Sequence, residues 1–172
     1  MGIRNYLIEG VSGTGKTTVA EELQRRGYHV IHGDRELAYF GDPETGEPLD
    51  GLSRESVDNI TWAYGRWIWP VDKVKALIAD QNYAKTFFCG GSRNSHHFID
   101  LFDEVFVLEA DLDTLKRRVS ARGEDEFGGK PEQWALLARV HATKMGIPKN
   151  AVSIDATAPI ERVVDEILEK CS

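Results

Sequence analysis

Residues 6–23 read YLIEGVSGTGKTTVAEEL: an apolar run, a glycine-studded turn, then a helix-forming stretch. Gly10, Gly15, Lys16 and Thr17 fill every fixed position of the pattern G-x-x-x-x-G-K-S/T, in the strand-then-helix context that this pattern needs. Glycines 10, 13 and 15 let successive backbone N–H groups turn inward around phosphate oxygens. Ser12, Thr14 and Thr18 complete the expected nucleotide-binding set. A helix starting near Lys16 adds the positive end of its dipole. Lys16 is placed to reach the β- and γ-phosphates of a nucleoside triphosphate, and the Thr17 hydroxyl to join a magnesium shell. The dinucleotide pattern G-x-G-x-x-G fails, because Thr18 occupies its third glycine.

Outward from this loop, apolar runs at 5–10, 28–34, 85–91, 104–111 and 151–155 alternate with helical patterns. The helical patterns cover 17–26, 54–80 on both sides of Pro70, 111–123, 131–146 and 158–170. Such alternation predicts an α/β protein with a five-stranded parallel sheet and helices on both faces. With the phosphate loop, the expectation is a three-layer α/β/α P-loop NTPase fold with a small lid. Residues 41–52 and 123–132 read as exposed loops, the first rich in turn formers and the second charged and glycine-containing. One domain, 1–172, suits the length.

Composition removes several function classes. The apolar fraction of 41% and charged fraction of 28% are those of a globular protein. The net charge of −7 argues against a nucleic-acid-binding face, although a local Arg/Lys cluster can still set the field of a cleft. No stretch approaches the roughly 18 apolar residues that would cross a membrane, and the N-terminus lacks a signal pattern. Cys89 and Cys171 are far apart and have no metal-like spacing, so reduced thiols and a cytoplasmic location are expected. A monomer or homodimer is the expected state.

Ligands of parallel sheets sit beyond the carboxyl ends of the strands, which points to the chain just after each apolar run. The second run ends at Asp34 and Arg35, beside the expected phosphate site. A carboxylate at Asp34 suits either accepting a proton from an acceptor hydroxyl or holding a metal-bound water. The third ends in Cys89-Gly90-Gly91-Ser92-Arg93. Gly90 and Gly91 permit close backbone approach, and Arg93 offers a planar fork for a phosphate or carboxylate. Cys89 stands where a magnesium-orienting Asp would close that strand, which moves the metal-holding duty to Asp34, alongside Thr17. On the 111–123 helix, Arg118 and Arg122 share a face just before the 123–132 loop and are positioned to neutralise phosphate charge.

The Gly10–Thr17 loop, Gly33-Asp34, Gly90–Arg93 and the LKRRVSARG helix fall in the order of motifs in the adenylate kinase-like small kinases, which the chain resembles. That group includes nucleoside monophosphate kinases, shikimate kinase and gluconate kinase. CGGSRN resembles both the D-G-F/Y-P-R segment of adenylate kinases and the glycine-rich substrate loop of shikimate kinase. Leu115, Arg118 and Arg122 resemble the arginine pair before the lid, and IDATAP (154–159) the loop laid along the adenine ring. The resemblance implies ATP and Mg2+ as cofactors, Ala156 to Pro159 flanking the base with Arg118 opposite, and a lid at about 118–135. The departures are Cys89 and a 123–132 loop whose EDEFGGKPE stretch lacks arginines of its own.

The acceptor-binding segment is expected at about 35–84, where Trp62, Tyr64, Trp67 and Trp69 gather with Arg54 and Arg66. Stacking a nucleobase and packing into a core at helical spacing are both open to these aromatics. His96 and His97 read as exposed loop residues without a third metal ligand. The predicted activity is transfer of the ATP γ-phosphate to a small molecule, a nucleoside or nucleotide first. A sugar acid, a shikimate-like or antibiotic hydroxyl, or an ATPase or regulatory module are the alternatives. A G-protein-type N-K-x-D is absent from the sequence.

Overall fold

The computed structural model describes residues 4–49, 60–121, 130–144 and 147–171, with Ile60 and Thr61 as backbone. In chain order it contains β1 (Arg4–Gly10), α1 (Lys16–Arg25), β2 (His29–His32), α2 (Gly33–Glu36), β3 (Tyr39–Phe40), α3 (Ile60–Tyr64) and β4 (Trp67–Ile68). There follow α4 (Val71–Ala79), β5 (Lys85–Cys89), β6 (Glu104–Glu109), α5 (Leu112–Ser120), α6 (Pro131–Thr143), β7 (Val152–Asp155) and α7 (Ile160–Glu169).

Five strands pair in the order β2-β5-β1-β6-β7, all parallel, with β1 at the centre. Residue alternation assigns the two faces. Tyr6, Ile8, Phe106 and Leu108 pack against Val19, Ala20 and Leu23 of α1 and Val163, Val164 and Ile167 of α7. Leu7 and Phe88 point the other way, into Trp69, Val74 and Phe98, and Val107 meets Leu115, Val119, Leu136 and Val140 of α5 and α6. The three α/β/α layers are therefore those the alternating runs anticipate. Each fully buried Phe, Leu or Ile contributes roughly 1.5–3 kcal/mol, which is why β1 is buried from Asn5 to Gly10.

The register aligns the carboxyl ends along one edge. Ile8 and His32 both lie opposite Cys89, Gly10 opposite Leu108, and Glu109 opposite Asp155. The phosphate loop, α2 and the Gly90–Arg93 segment all leave the sheet there.

Two local expectations are corrected. Trp67 and Ile68, read as helical, form β4, antiparallel to β3 with Tyr39 opposite Ile68 and Phe40 opposite Trp67. Pro70 pushes the residue before it toward extended backbone, and an aromatic and β-branched run favours a pleated surface. Asn94 then fixes the segment, its Oδ1 accepting from Trp69 N at 3.1 Å and its Nδ2 donating to Trp69 O at 2.8 Å. The second difference is at residues 33–34, which leave the strand for the single turn of α2. Gly33 makes this turn possible, because a Cβ there would overlap the indole of Trp69. Among the described residues, no helix is long and apolar enough to cross a membrane.

Candidate active site

Gly13 and Gly15 adopt φ of 94° and 104°, left-handed backbone that L side chains rarely take. Between them Thr14 closes the turn, its N–H and hydroxyl donating to Val11 O at 3.1 and 2.8 Å. α1 begins at Lys16 with no side-chain cap from Gly15, and a helix N-terminus of this kind favours an anion. The Lys16 ammonium donates to Gly10 O within the loop. Ser12 is half-buried, and Thr17 and Thr18 are exposed on the first turn of α1.

Asp34 and Arg35 do lie beside this loop. Together with Lys16, Thr17, His32 and Cys89 they line one pocket at the carboxyl edge of β2 and β5. Asp34 is exposed, and its Oδ1 accepts from Trp67 Nε1 at 3.2 Å. Cys89 is buried, and burial, reinforced by Asp34, pushes its thiol pKa up, so it is a neutral wall residue. The Thr17 hydroxyl and Asp34 carboxylate supply hard oxygen donors to the same pocket, a set that suits magnesium.

The acceptor-side loop is more closed than its sequence suggests. A Cβ at Gly90 would stand 3.1 Å from Asp34 Oδ1, and one at Gly91 2.7 Å from Arg93 Nη2. Arg93 is mostly enclosed. Its Nη1 donates to the Tyr64 hydroxyl, its Nη2 pairs with Glu9 Oε1 at 3.3 Å, and its guanidinium lies 4.2 Å from the Tyr64 ring centroid.

Glu9 is the functional candidate that sequence reasoning missed. It is fully buried, and its carboxyl is pushed up to about 7, first by desolvation and further by Asp34, while Arg93 and Lys16 pull it down. The available signal was a charged residue in an otherwise apolar strand, directly before the phosphate loop.

Arg118 sits differently from the expectation of direct phosphate contact. Its Nη1 donates to Gly13 O and Thr14 O at 3.3 and 3.1 Å, and its Nη2 to Ala156 O at 2.6 Å. It therefore ties the phosphate loop to the segment after β7. Ala156 is buried, and Pro159 caps the start of α7. Arg122 lies outside the described residues, as do Arg54 and residues 123–129.

The tryptophans part ways. Trp69 is 1% exposed and stacks on Phe98, Trp67 is half-buried edge-on to Phe40, and Trp62 is 38% exposed with Arg66 4.8 Å from its ring. Trp62, Arg66 and Trp69 do not share one helical face, because β4 intervenes. At the surface, His96 and His97 meet a third donor after all, Glu44, with ligand atoms all within 4.8 Å of one another.

A family described as an AAA domain, AAA_18, matches residues 7–133, well over half the chain. The chain belongs to the AAA_18 family. This AAA_18 chain is 25% identical over 192 aligned residues to "Probable thymidylate kinase" of Caldivirga maquilingensis, covering 94% of the chain and 89% of that protein. Among solved structures, shikimate kinase from Bacteroides thetaiotaomicron superposes with a TM-score of 0.67 at 14% identity, covering 99% of both chains. Deoxyadenosine kinase from M. mycoides with bound dATP gives 0.56 at 16%, covering 97% of this chain and 98% of the other. The fold is that of the P-loop small-molecule kinases.

Proposed function

We propose that this P-loop kinase moves the γ-phosphate of ATP to a hydroxyl of a small acceptor, with a nucleoside or nucleotide as the first candidate class. The observation that carries the reading is the shared pocket, in which Lys16 and Thr17 of the phosphate loop face the Asp34 carboxylate. In the proposed reaction the acceptor oxygen bonds to the γ-phosphorus and the bond to the β–γ bridging oxygen breaks. Asp34 takes the hydroxyl proton, and ADP leaves. Lys16 neutralises the β- and γ-phosphates, and the glycine loop with the α1 terminus holds them in line. Arg118 holds the loop against Ala156, with Ala156 to Pro159 along the base. Arg122 is assigned to the developing phosphate charge.

Thr17 and Asp34 would hold Mg2+, which would supply positive charge to offset that of the phosphates. The acceptor segment at 35–84, the lid at 118–135 and a cytoplasmic location belong to the same proposal. The names of the thymidylate, deoxyadenosine and shikimate kinases support an acceptor that is small. The family description, an AAA domain, favours an ATPase as second reading.

ATP turnover measured with and without a panel of nucleosides, nucleotides, sugar acids and shikimate separates the two. Acceptor-dependent ADP release with stoichiometric phospho-product is expected. Robust hydrolysis indifferent to every acceptor would leave the ATPase reading standing. Asp34→Asn should cut transfer far more than ATP affinity, and a pure loss of ATP affinity would remove Asp34 from its role.

A further inference from the structure

Arg93 is the cation of the acceptor-side loop, yet its charge is met from inside the protein. The Glu9 carboxylate closes on Nη2, the Tyr64 hydroxyl takes Nη1, and the Tyr64 ring lies against the guanidinium. Gly91 leaves the room that this pairing needs, since a Cβ would stand 3.1 Å from Glu9 Oε1. The charges acting on Glu9 are Arg93 and Lys16, both attractive, and Asp34, repulsive. Lys16 belongs to the phosphate loop.

A phosphate or carboxylate brought to this wall would therefore meet a guanidinium whose charge is already balanced, and two carboxylates, Glu9 and Asp34. Arg35 is exposed, where water and salt weaken its pull. The wall also keeps unused polar capacity of both kinds. Glu9 Oε2, Arg93 Nε and Ser92 Oγ are buried without a hydrogen-bond partner among the described residues. A hydroxyl, which both donates and accepts, matches that mixture; a phosphate dianion only accepts.

We propose that Glu9 is a specificity-determining residue: by neutralising Arg93 from behind, it makes the inner acceptor wall select an uncharged, polyhydroxylated acceptor, such as a nucleoside, over its phosphorylated or carboxylated counterparts. The inference rests on the phosphotransferase reading and narrows it.

At pH 8.5, above the value of about 7 at which Glu9 gives up its proton, the test compares full-length wild type and Glu9→Gln on matched pairs, thymidine with its 5′-monophosphate and deoxyadenosine with its own. Two readouts are taken: kcat/KM with ATP and magnesium, and dissociation constants by calorimetry with a non-hydrolysable ATP analogue. Wild type should favour the uncharged member of each pair. Glu9→Gln should move that ratio toward the anion by about tenfold or more, the scale of one charge-assisted hydrogen bond. The change should appear in the acceptor KM, with the KM for ATP unchanged. Tyr64→Phe, which frees Nη1 alone, should shift the ratio in the same direction by less, and it carries the test if Glu9→Gln does not fold. A wild type that prefers the monophosphates, or ratios untouched by both variants, overturns the proposal. If none of the four is phosphorylated, the nucleoside-or-nucleotide acceptor of the proposed function falls, while the binding ratios still decide this one. Failure of both members of both pairs to bind overturns it as well.

Discussion

Replacing Glu9 by Gln should stabilise the ligand-free protein at alkaline pH, although it breaks a buried ion pair. The competition is between desolvation of the carboxylate and its attraction to Arg93 and Lys16. The carboxyl sits at about 7 in the fold against an ordinary 4.5, so desolvation wins. Between those values the folded protein holds a proton that the unfolded chain has released. The stability contributed by this group is therefore full below pH 4.5 and lost as the pH rises through 7. At 1.36 kcal/mol per unit, the interval amounts to about 3 kcal/mol. Glutamine carries no charge to desolvate and should keep that increment throughout. Urea unfolding of both proteins without nucleotide, from pH 5 to 8.5, gives the difference, in which the other titrating groups cancel. The curves should lie close together at pH 5 and separate by about 2–3 kcal/mol at pH 8.5, wild type the weaker. Parallel curves, or a Gln variant weaker by several kcal/mol at every pH, would refute the reasoning and mean that the ion pair outweighs its burial.

Three further outcomes follow from the site. Lys16→Ala should lose most turnover with an unchanged circular dichroism spectrum, and near-wild-type rates would contradict the assignment of Lys16 to the phosphates. Gly33→Ala should cost about 1–3 kcal/mol in thermal or urea unfolding through overpacking against Trp69. It should also lower transfer by displacing Asp34, so a neutral variant would show that the turn yields freely. Arg118→Gln should raise the KM for ATP about tenfold, by releasing the phosphate loop from Ala156, whereas a change in kcat alone would point to direct contact with the transferred phosphate.

The sheet and the phosphate-loop motif were legible because their signals are local. β1, the turn and α1 are contiguous, and strands buried on both faces write themselves as apolar runs. β4 was not legible, since Trp67 and Ile68 are held by Phe40 and Tyr39, and Trp69 after them by Asn94, none of them a sequence neighbour. The same holds for the acceptor wall. Arg93 looked like a free anion fork because its partner Glu9 lies 84 residues earlier, in a strand whose pattern reads simply as core. Glu44 likewise reaches His96 and His97 from a distant part of the sequence, across a shorter gap. Arg118 reads in the sequence as a phosphate contact, and only the tertiary path of the β7–α7 loop shows that its guanidinium is taken up by carbonyls.

The indole of Trp69 lies directly beneath both Gly33 and Gly90, so the turn carrying Asp34 and the loop carrying Arg93 rest on a common ring. For protein engineering this divides the acceptor side into a chassis and an exchangeable lining. Libraries that seek a new acceptor should vary Tyr64, Trp67 and the exposed Arg35 while holding Trp69, Gly33 and Gly90 constant. A change in the ring itself alters the height of the Asp34 carboxylate and of the Arg93 guanidinium together, and selection could not then tune one without the other.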